Sequence, residues 1–298
     1  MIKKALVTGA TGFIGSNLVA KLLEDGWQVS IIVRKESNLD HLVGTKSRIK
    51  IFSYDGTVER MLEIMSTAEP DIVFHLASLF LAEHKAEDIN SLFQSNILFG
   101  THLLEAMVKN DVKMLINTGT SWQHFENYDY NPVCLYAATK QAYEDILAYY
   151  VNAKEIKAIT LKLFDTYGSK DPRPKLLAFL KKMRYSNDIL EMSGGDQIIN
   201  LVHINDVIKA YLMGAERLLN NLVTDTETYA VSSDEVVSLK QLVKIIETFD
   251  GENLPIKWGA RAYRNREVMT PWSKGIRLPG WEAEITLRDG LREYFLES

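Results

Sequence analysis

Residues Val7-Thr8-Gly9-Ala10-Thr11-Gly12-Phe13-Ile14-Gly15 leave this chain few ways to begin folding. Just before the glycines, Ala5-Leu6-Val7 is a short apolar run of the kind that forms a buried strand. After them, Phe13, Ile14, Leu18, Val19, Leu22 and Leu23 recur at helical spacing. The glycines, spaced G-x-x-G-x-x-G, therefore fall at a strand-to-helix turn. Such a turn lets the backbone approach a pyrophosphate closely and aims a helix N-terminus at its charge. A glycine cluster that only caps a packed helix is the plainer alternative. The agreement of strand, glycines and helix favours a dinucleotide site, with Gly9, Thr11, Gly12, Phe13, Ile14 and Gly15 around the cofactor.

The rest of the chain predicts more of the same pattern. Gly26 ends the first helix, and Val29–Val33 reads as a second strand. One helical turn at Leu39–Val43 precedes a third strand, Ile49–Tyr54, closed by Asp55-Gly56-Thr57. A helix follows through Val58, Met61, Leu62, Ile64 and Met65. The run Ile72–Ala77 is apolar enough to be buried on both faces. Residues 87–109 read as one helix, Val112–Asn117 as strand five, 118–134 as a polar loop, 135–152 as a helix and Ala158–Phe164 as strand six. Strands alternating with helices predict an α/β fold with a doubly wound parallel sheet, a Rossmann domain over residues 1–165. Residues 166–298 are less regular and predict a smaller C-terminal substrate-binding lobe, from which 199–232 packs back onto the first domain. There, Leu176–Met183 reads as a helix, Ile198–Ile204 as a strand, Asn205-Asp206 as the cap of a helix ending near Leu219, and Tyr229–Val231 as a short strand.

Composition narrows the function. A net charge of −5 gives no reason to expect nucleic-acid binding. The single cysteine, Cys134, cannot form a disulfide within the chain, and the six histidines lack ligand spacing, so no metal is assigned. No apolar run approaches membrane-helix length. A cytoplasmic setting is expected.

Tyr136-Ala137-Ala138-Thr139-Lys140 puts a tyrosine and a lysine four residues apart, on one face of a helix. A free tyrosine ionises near pH ~10, and a neighbouring ammonium lowers that value. Such a pair can exchange a proton with an alcohol or a carbonyl. On its own the spacing is common, and a solvated lysine beside a half-buried tyrosine would explain it. Here it follows a nucleotide turn and Thr118-Gly119-Thr120-Ser121 at the end of strand five. A threonine, a tyrosine and a lysine converging there would suit carbonyl reduction.

These motifs together resemble the extended short-chain dehydrogenases/reductases that modify nucleotide sugars, over nearly the whole chain. Thr8-Gly9-Ala10-Thr11-Gly12-Phe13-Ile14-Gly15 is similar to that family's T-G-x-x-G-F-x-G turn. The resemblance implies that Asp55, beside Gly56, contacts adenine. It also implies that Leu76 and Ala77 of the strand-four segment with Ser78 beyond it, Asn96 in the helix behind, and Leu163 on strand six lie against the cofactor. Thr120, Tyr136 and Lys140 fall on the catalytic positions, with Lys140 also holding the nicotinamide ribose. Ser121, Trp122, Asp165, His203 and Arg264 fall on the substrate side. The chain departs from the family in two places. Asp196-Gln197-Ile198-Ile199-Asn200 lacks the arginine that often follows this turn, leaving Arg264 or Arg261 to meet a diphosphate. Asp165 stands where many members have asparagine. The runs Asn117–Trp122 and Phe164–Gly168 are most similar to reductases that make CDP-linked dideoxyhexoses, the CDP-abequose synthase type.

The implied activity is reduction of a 4-keto-6-deoxy sugar nucleotide, with a nucleotide-diphosphate sugar as the small-molecule partner. An epimerase or dehydratase on the same fold is the alternative, since function lives in the site. A non-catalytic NADP(H) sensor is a third reading, disfavoured by the intact Thr120, Tyr136 and Lys140. The second strand ends in Val33-Arg34-Lys35, where NAD enzymes usually carry a carboxylate, so NADP(H) is the expected cofactor. Relatives pair the helices at 87–109 and 135–152 across a two-fold axis. A homodimer is therefore expected, through Phe93, Ile97, Tyr143, Ile146, Leu147 and Tyr150.

Overall fold

The computed structural model describes residues 2–186 and 188–296. Strand β1 (Lys4–Thr8) leads through the glycine turn into α1 (Phe13–Glu24), and β2 (Gln28–Arg34), β3 (Ile49–Tyr54), α2 (Val58–Ala68) and β4 (Ile72–His75) follow. Next come α3 (Ile89–Phe93), α4 (Phe99–Lys109), β5 (Met114–Thr120), α5 (Leu135–Lys154) and β6 (Lys157–Leu163). With β10 (Thr226–Val231), these strands form a seven-stranded parallel sheet in the order β10-β6-β5-β4-β1-β2-β3. The order reverses between β1 and β4, so the glycine turn and the residues after His75 face one crevice at the strands' C-terminal ends. Ligands bind at such a point in open α/β sheets.

Both faces of the sheet are covered. One packs on α1 and on α7 (Ile204–Leu219), around Leu18, Leu22, Phe74 and Tyr211. The other packs on α2, α4 and α5, around Met61, Leu103 and Tyr143. The smaller lobe holds β7 (Asp165–Tyr167), α6 (Leu176–Met183), β8 (Leu190–Glu191), β9 (Ile198–His203), β11 (Val236–Ser238), α8 (Leu239–Glu247), β12 (Ile256–Lys257) and α9 (Leu287–Leu296). Its three-stranded sheet runs β11-β9-β7 and closes its own core around Leu180, Leu242 and Leu291. Of the segment 199–232, α7 and β10 join the large layer, whereas β9 stays in the lobe. No described helix is long and apolar enough to cross a membrane.

Four local readings are corrected. Strand five does not stop at Asn117 but runs to Thr120, because β6 pairs with it up to Thr120–Leu163 and satisfies the backbone of residues that look loop-like by polarity. The helix over 87–109 is interrupted by a π turn at Gln94–Leu98, at the height of Asn96. Such turns recur at functional sites. Helix α7 is capped by His203, whose Nδ1 accepts from the Asn205 amide at 3.3 Å, and not by Asn205-Asp206. Asp206 instead accepts from the amides of Glu284 and Ile285, fastening the C-terminal segment. Finally, Tyr143, Leu147 and Tyr150 are spent inside the subunit, so they offer no face to a second copy. Phe93 and Tyr149 remain outside, 46% and 56% exposed.

Candidate active site

The cofactor side begins at the glycines. Gly9 takes φ +70°, and a Cβ there would sit 2.6 Å from the Ala77 amide nitrogen. A Cβ on Gly15 would collide with the Gly9 carbonyl oxygen and lie 2.8 Å from Ala10 Cα. Gly12 is the extended N-cap of α1, and its amide donates to Gly9 O at 3.0 Å. The turn is therefore held close to both α1 and the end of β4, with the first amides of α1 open toward the crevice. This cradle fits the pyrophosphate of a dinucleotide. Thr8 fixes its floor: its hydroxyl accepts from the Leu76 and Ala77 amides and meets His75 Nδ1 at 2.9 Å. With both lone pairs taken by the two amides, the hydroxyl has only its proton left for His75 Nδ1, which therefore accepts and leaves the ring neutral. Burial, with the Lys140 charge nearby, pushes the His75 pKa down to about 3.

Arg34 and Lys35 are exposed at the end of β2. The Asp55 carboxylate accepts from both the hydroxyl and the amide of Thr57, which hold its pKa below the ordinary value. Phe13 is buried under the Arg173 guanidinium, 4.7 Å from the ring centroid. Asn96 has its polar atoms engaged by protein. Its Oδ1 accepts from the Leu79 amide and the Ser78 hydroxyl, and its Nδ2 donates to Leu79 O and Thr139 Oγ1. It therefore ties the segment after β4 at Ser78 and Leu79 to α5 at Thr139. Leu163 is buried opposite Thr120 in the β5–β6 register.

Tyr136 lies in the first turn of α5 and Lys140 one turn further, both buried. Burial pushes the Tyr136 pKa up to about 12, although the neighbouring hydroxyls of Ser78 and Thr120 oppose the rise. The expectation that Lys140 depresses the phenol is thus reversed in the protein alone, because desolvation outweighs any nearby cation. Lys140 is itself pushed down to about 8 by burial, with Glu144 opposing. Near neutral pH the phenol is protonated and able to donate. Thr120 caps a short turn over Ser121–Gln123 and accepts from the Trp122 amide at 3.3 Å.

Next to this pair a cavity of about 600 Å³ opens between the sheet and the lobe. Ser121, Trp122, Asp165 and Arg264 line it. His203 does not. It is buried beneath the lobe against Tyr167, with Nε2 3.6 Å from the Glu293 carboxylate, and its work is capping α7. Arg264 reaches over Trp122 but is already bidentate to Glu267, at 3.0 Å for each contact. A diphosphate would have to share or displace that carboxylate. Asp165 faces Lys175 at 4.0 Å. The sequence reading missed Phe80, whose ring packs edge-on to Tyr136 at 5.0 Å and against Trp122 at 5.5 Å. It also missed Trp272 and His124, stacked at 3.9 Å in the cavity wall. No periodicity marks these residues, since all three lie outside regular helices and strands.

A family model described as the NAD dependent epimerase/dehydratase family matches residues 5–225. The CDP-abequose synthase of Yersinia pseudotuberculosis is 28% identical over 294 residues, covering 98% of this chain and 97% of that protein. The CDP-abequose synthase of Salmonella typhimurium is 24% identical and covers 97% and 96%. Among solved structures, the UDP-glucose 4-epimerase of Thermotoga maritima with UDP-glucose superposes with a TM-score of 0.85 at 23% identity, covering 98% and 97%. MoeE5 in complex with UDP-glucuronic acid and NAD gives a TM-score of 0.80 at 22% identity, with 98% of each chain covered. These last two share the fold.

Proposed function

This chain belongs to the NAD dependent epimerase/dehydratase family, and from that premise we propose that it reduces a 4-keto-6-deoxy sugar nucleotide with NADPH. The observation that carries the reading is the pair of residues after Thr120. Ser121 and Trp122 stand there, so the acid–base couple that elimination of a C6 hydroxyl requires is missing. The full-length similarity to CDP-abequose synthases supports the same substrate class.

NADPH, when bound in the glycine cradle, supplies the hydride. Gly9, Gly12 and Gly15 admit its pyrophosphate, and Lys140 holds the nicotinamide ribose. Thr120 donates its hydroxyl proton in a hydrogen bond to the C4 carbonyl oxygen, favouring the charge that develops there. Tyr136 delivers its phenolic proton to that same oxygen. Phe80 packs edge-on against the phenol ring and is itself backed by Trp122. Stoichiometric NADPH oxidation with a 4-keto-6-deoxy sugar nucleotide, and none with its 4-hydroxy, 6-hydroxy precursor, is the expected result. Interconversion of two sugar nucleotides without net NADPH loss would replace this reading with an epimerase.

The cofactor preference rests on Arg34. Its exposed guanidinium at the end of β2 suits a ribose 2′-phosphate, and no carboxylate stands at that position to repel one. Arg34→Ala should erase most of the preference for NADPH over NADH. Titration of both cofactors measures it, and an unchanged ratio would refute the assignment.

The exposed rings of Phe93 and Tyr149, with Ile89 and Leu98 also exposed on the same pair of helical segments, are where we place a two-fold homodimer. Light scattering at micromolar concentration should give twice the chain mass. Phe93→Glu should shift it toward the monomer, and a monomeric wild type would overturn the assembly.

A further inference from the structure

Behind Thr120 lies a buried charged cluster that none of the steps above uses. Lys162, on β6, is 5% exposed. Its ammonium lies 3.3 Å from Glu144 Oε2 and 2.9 Å from His124 Nε2. Glu144 stands one helical turn beyond Lys140 on α5. Its other oxygen accepts from Gln123 Nε2 at 3.0 Å. Gln123 is fully buried, and its Oε1 accepts from the backbone amide of Thr120 at 3.0 Å. Its second amide proton goes to Gln141 at 2.8 Å. Every polar position of the Gln123 amide group that can reach protein is thereby used.

Gly119 makes room for this cluster. A Cβ there would lie 2.9 Å from Glu144 Oε1 and 3.0 Å from Lys162 Cγ. The glycine between Thr118 and Thr120 thus has a steric reason that the crevice alone does not supply.

The partners also set the histidine. An ammonium can only donate, so His124 Nε2 must accept from Lys162. His124 Nδ1 then carries the proton and points at Tyr128 O, 3.2 Å away. One neutral tautomer is locked, and its ring lies flat on Trp272 in the cavity wall, 13° from coplanar. Around His124 the charged groups are Lys162 from β6, Glu144 behind it on α5, and Asp129 from its own loop. Burial and the Lys162 charge together keep the imidazole uncharged.

We propose that Lys162 is a positioning residue for the proton-transfer site. It sets Thr120 through Glu144 and Gln123, and it sets the Trp272 wall through His124. A lysine at the centre links α5, the end of β5 and the cavity wall, so the hydroxyl of Thr120 and the bound sugar are located by one rigid unit. This rests on the assignment of Thr120 and Tyr136 as the groups at the carbonyl oxygen.

Removing Lys162 alone would strand a largely buried carboxylate, which can prevent folding. The test therefore pairs Lys162→Met with Glu144→Gln, which leaves no orphan charge and keeps an acceptor for Gln123. Two measurements are made on this variant. In nitrogen-15 NMR of the ring, wild-type His124 should hold the Nδ1–H tautomer across pH 5–8 (roughly the window in which a free imidazole titrates). In the variant it should exchange tautomers and titrate. In steady-state turnover, kcat should fall by roughly ten- to a hundredfold, as displacement of a reacting group by about an ångström does. The KM for NADPH should stay within about twofold. The same substitutions in a Tyr136→Phe background should cost less than about threefold, because a positioning effect has little left to position. Equal losses in both backgrounds would make the cluster merely structural and overturn the proposal. So would a His124 tautomer indifferent to Lys162. A wild-type enzyme that never oxidises NADPH with a sugar-nucleotide ketone would overturn the reductase reading instead, and the NMR result would then decide the cluster by itself.

Discussion

Tyr136→Phe is expected to lower kcat by about 10²–10⁴-fold, the usual worth of general acid catalysis, while NADPH binding is retained. The substitution removes one oxygen and leaves the ring, so the edge-on contact with Phe80 and the packing of α5 persist. What disappears is the proton donor at the carbonyl oxygen. Ser78 and Thr120, the hydroxyls nearest in influence on Tyr136, are aliphatic alcohols and cannot replace a phenol as an acid at neutral pH. Because burial holds the phenol near 12, it stays protonated through the whole range in which the enzyme would be assayed. The loss should therefore be nearly constant between pH 6 and 9. Stopped-flow or steady-state NADPH absorbance gives the rate, and fluorescence titration gives the binding. Wild-type turnover in the variant would remove Tyr136 from the mechanism.

Gly15→Ala should abolish useful NADPH binding, by about 10²-fold or more, and destabilise the fold by about 1–3 kcal/mol, the range typical of overpacking. The new methyl would meet the backbone of the turn, the Gly9 carbonyl and Ala10 Cα, and backbone cannot rotate away as a side chain can. Relief requires α1 to move off the turn, which opens the cradle that receives the pyrophosphate. Gly44→Ala is the matching control. Its Cβ would meet nothing within 4 Å, so it should change stability by less than about 0.5 kcal/mol, as open surface sites do. Thermal melts with and without NADPH separate the two effects. A Gly15→Ala protein that melts and binds like wild type would mean that the turn is not the cofactor cradle.

The architecture was legible where the information is local. An apolar run, three glycines and a helical stripe lie within residues 5–23, and the structure joins them as β1, turn and α1. The i, i+4 spacing that unites Tyr136 and Lys140 is a property of any helix, so it needed no tertiary knowledge. Alternation of strands with helices was enough for a parallel doubly wound sheet, because parallel neighbours require crossover connections. The end of β5 was not legible, because Thr118, Gly119 and Thr120 are polar or small. Only the partner strand β6 decides that their backbone stays in the ladder.

Side-chain partnerships across the fold depended wholly on tertiary structure. The resemblance placed His203 at the substrate, but the packing of α9 against Tyr167 and His203 keeps it beneath the lobe. Arg264 was legible as a cation near a diphosphate, yet Glu267 holds it when the protein stands alone. Phe80 reaches Tyr136 from 56 positions away along a loop with no period to betray it. Lys162 and Glu144 read as ordinary members of a strand and a helix until the sheet brings them together over Gly119. Periodicity and turn chemistry act over a few residues, so the sequence by itself determined most strands and helices of the large layer, the glycine turn and the tyrosine–lysine face. Burial, pKa and partnership depend on which elements the sheet order sets side by side, and only the tertiary structure decided those.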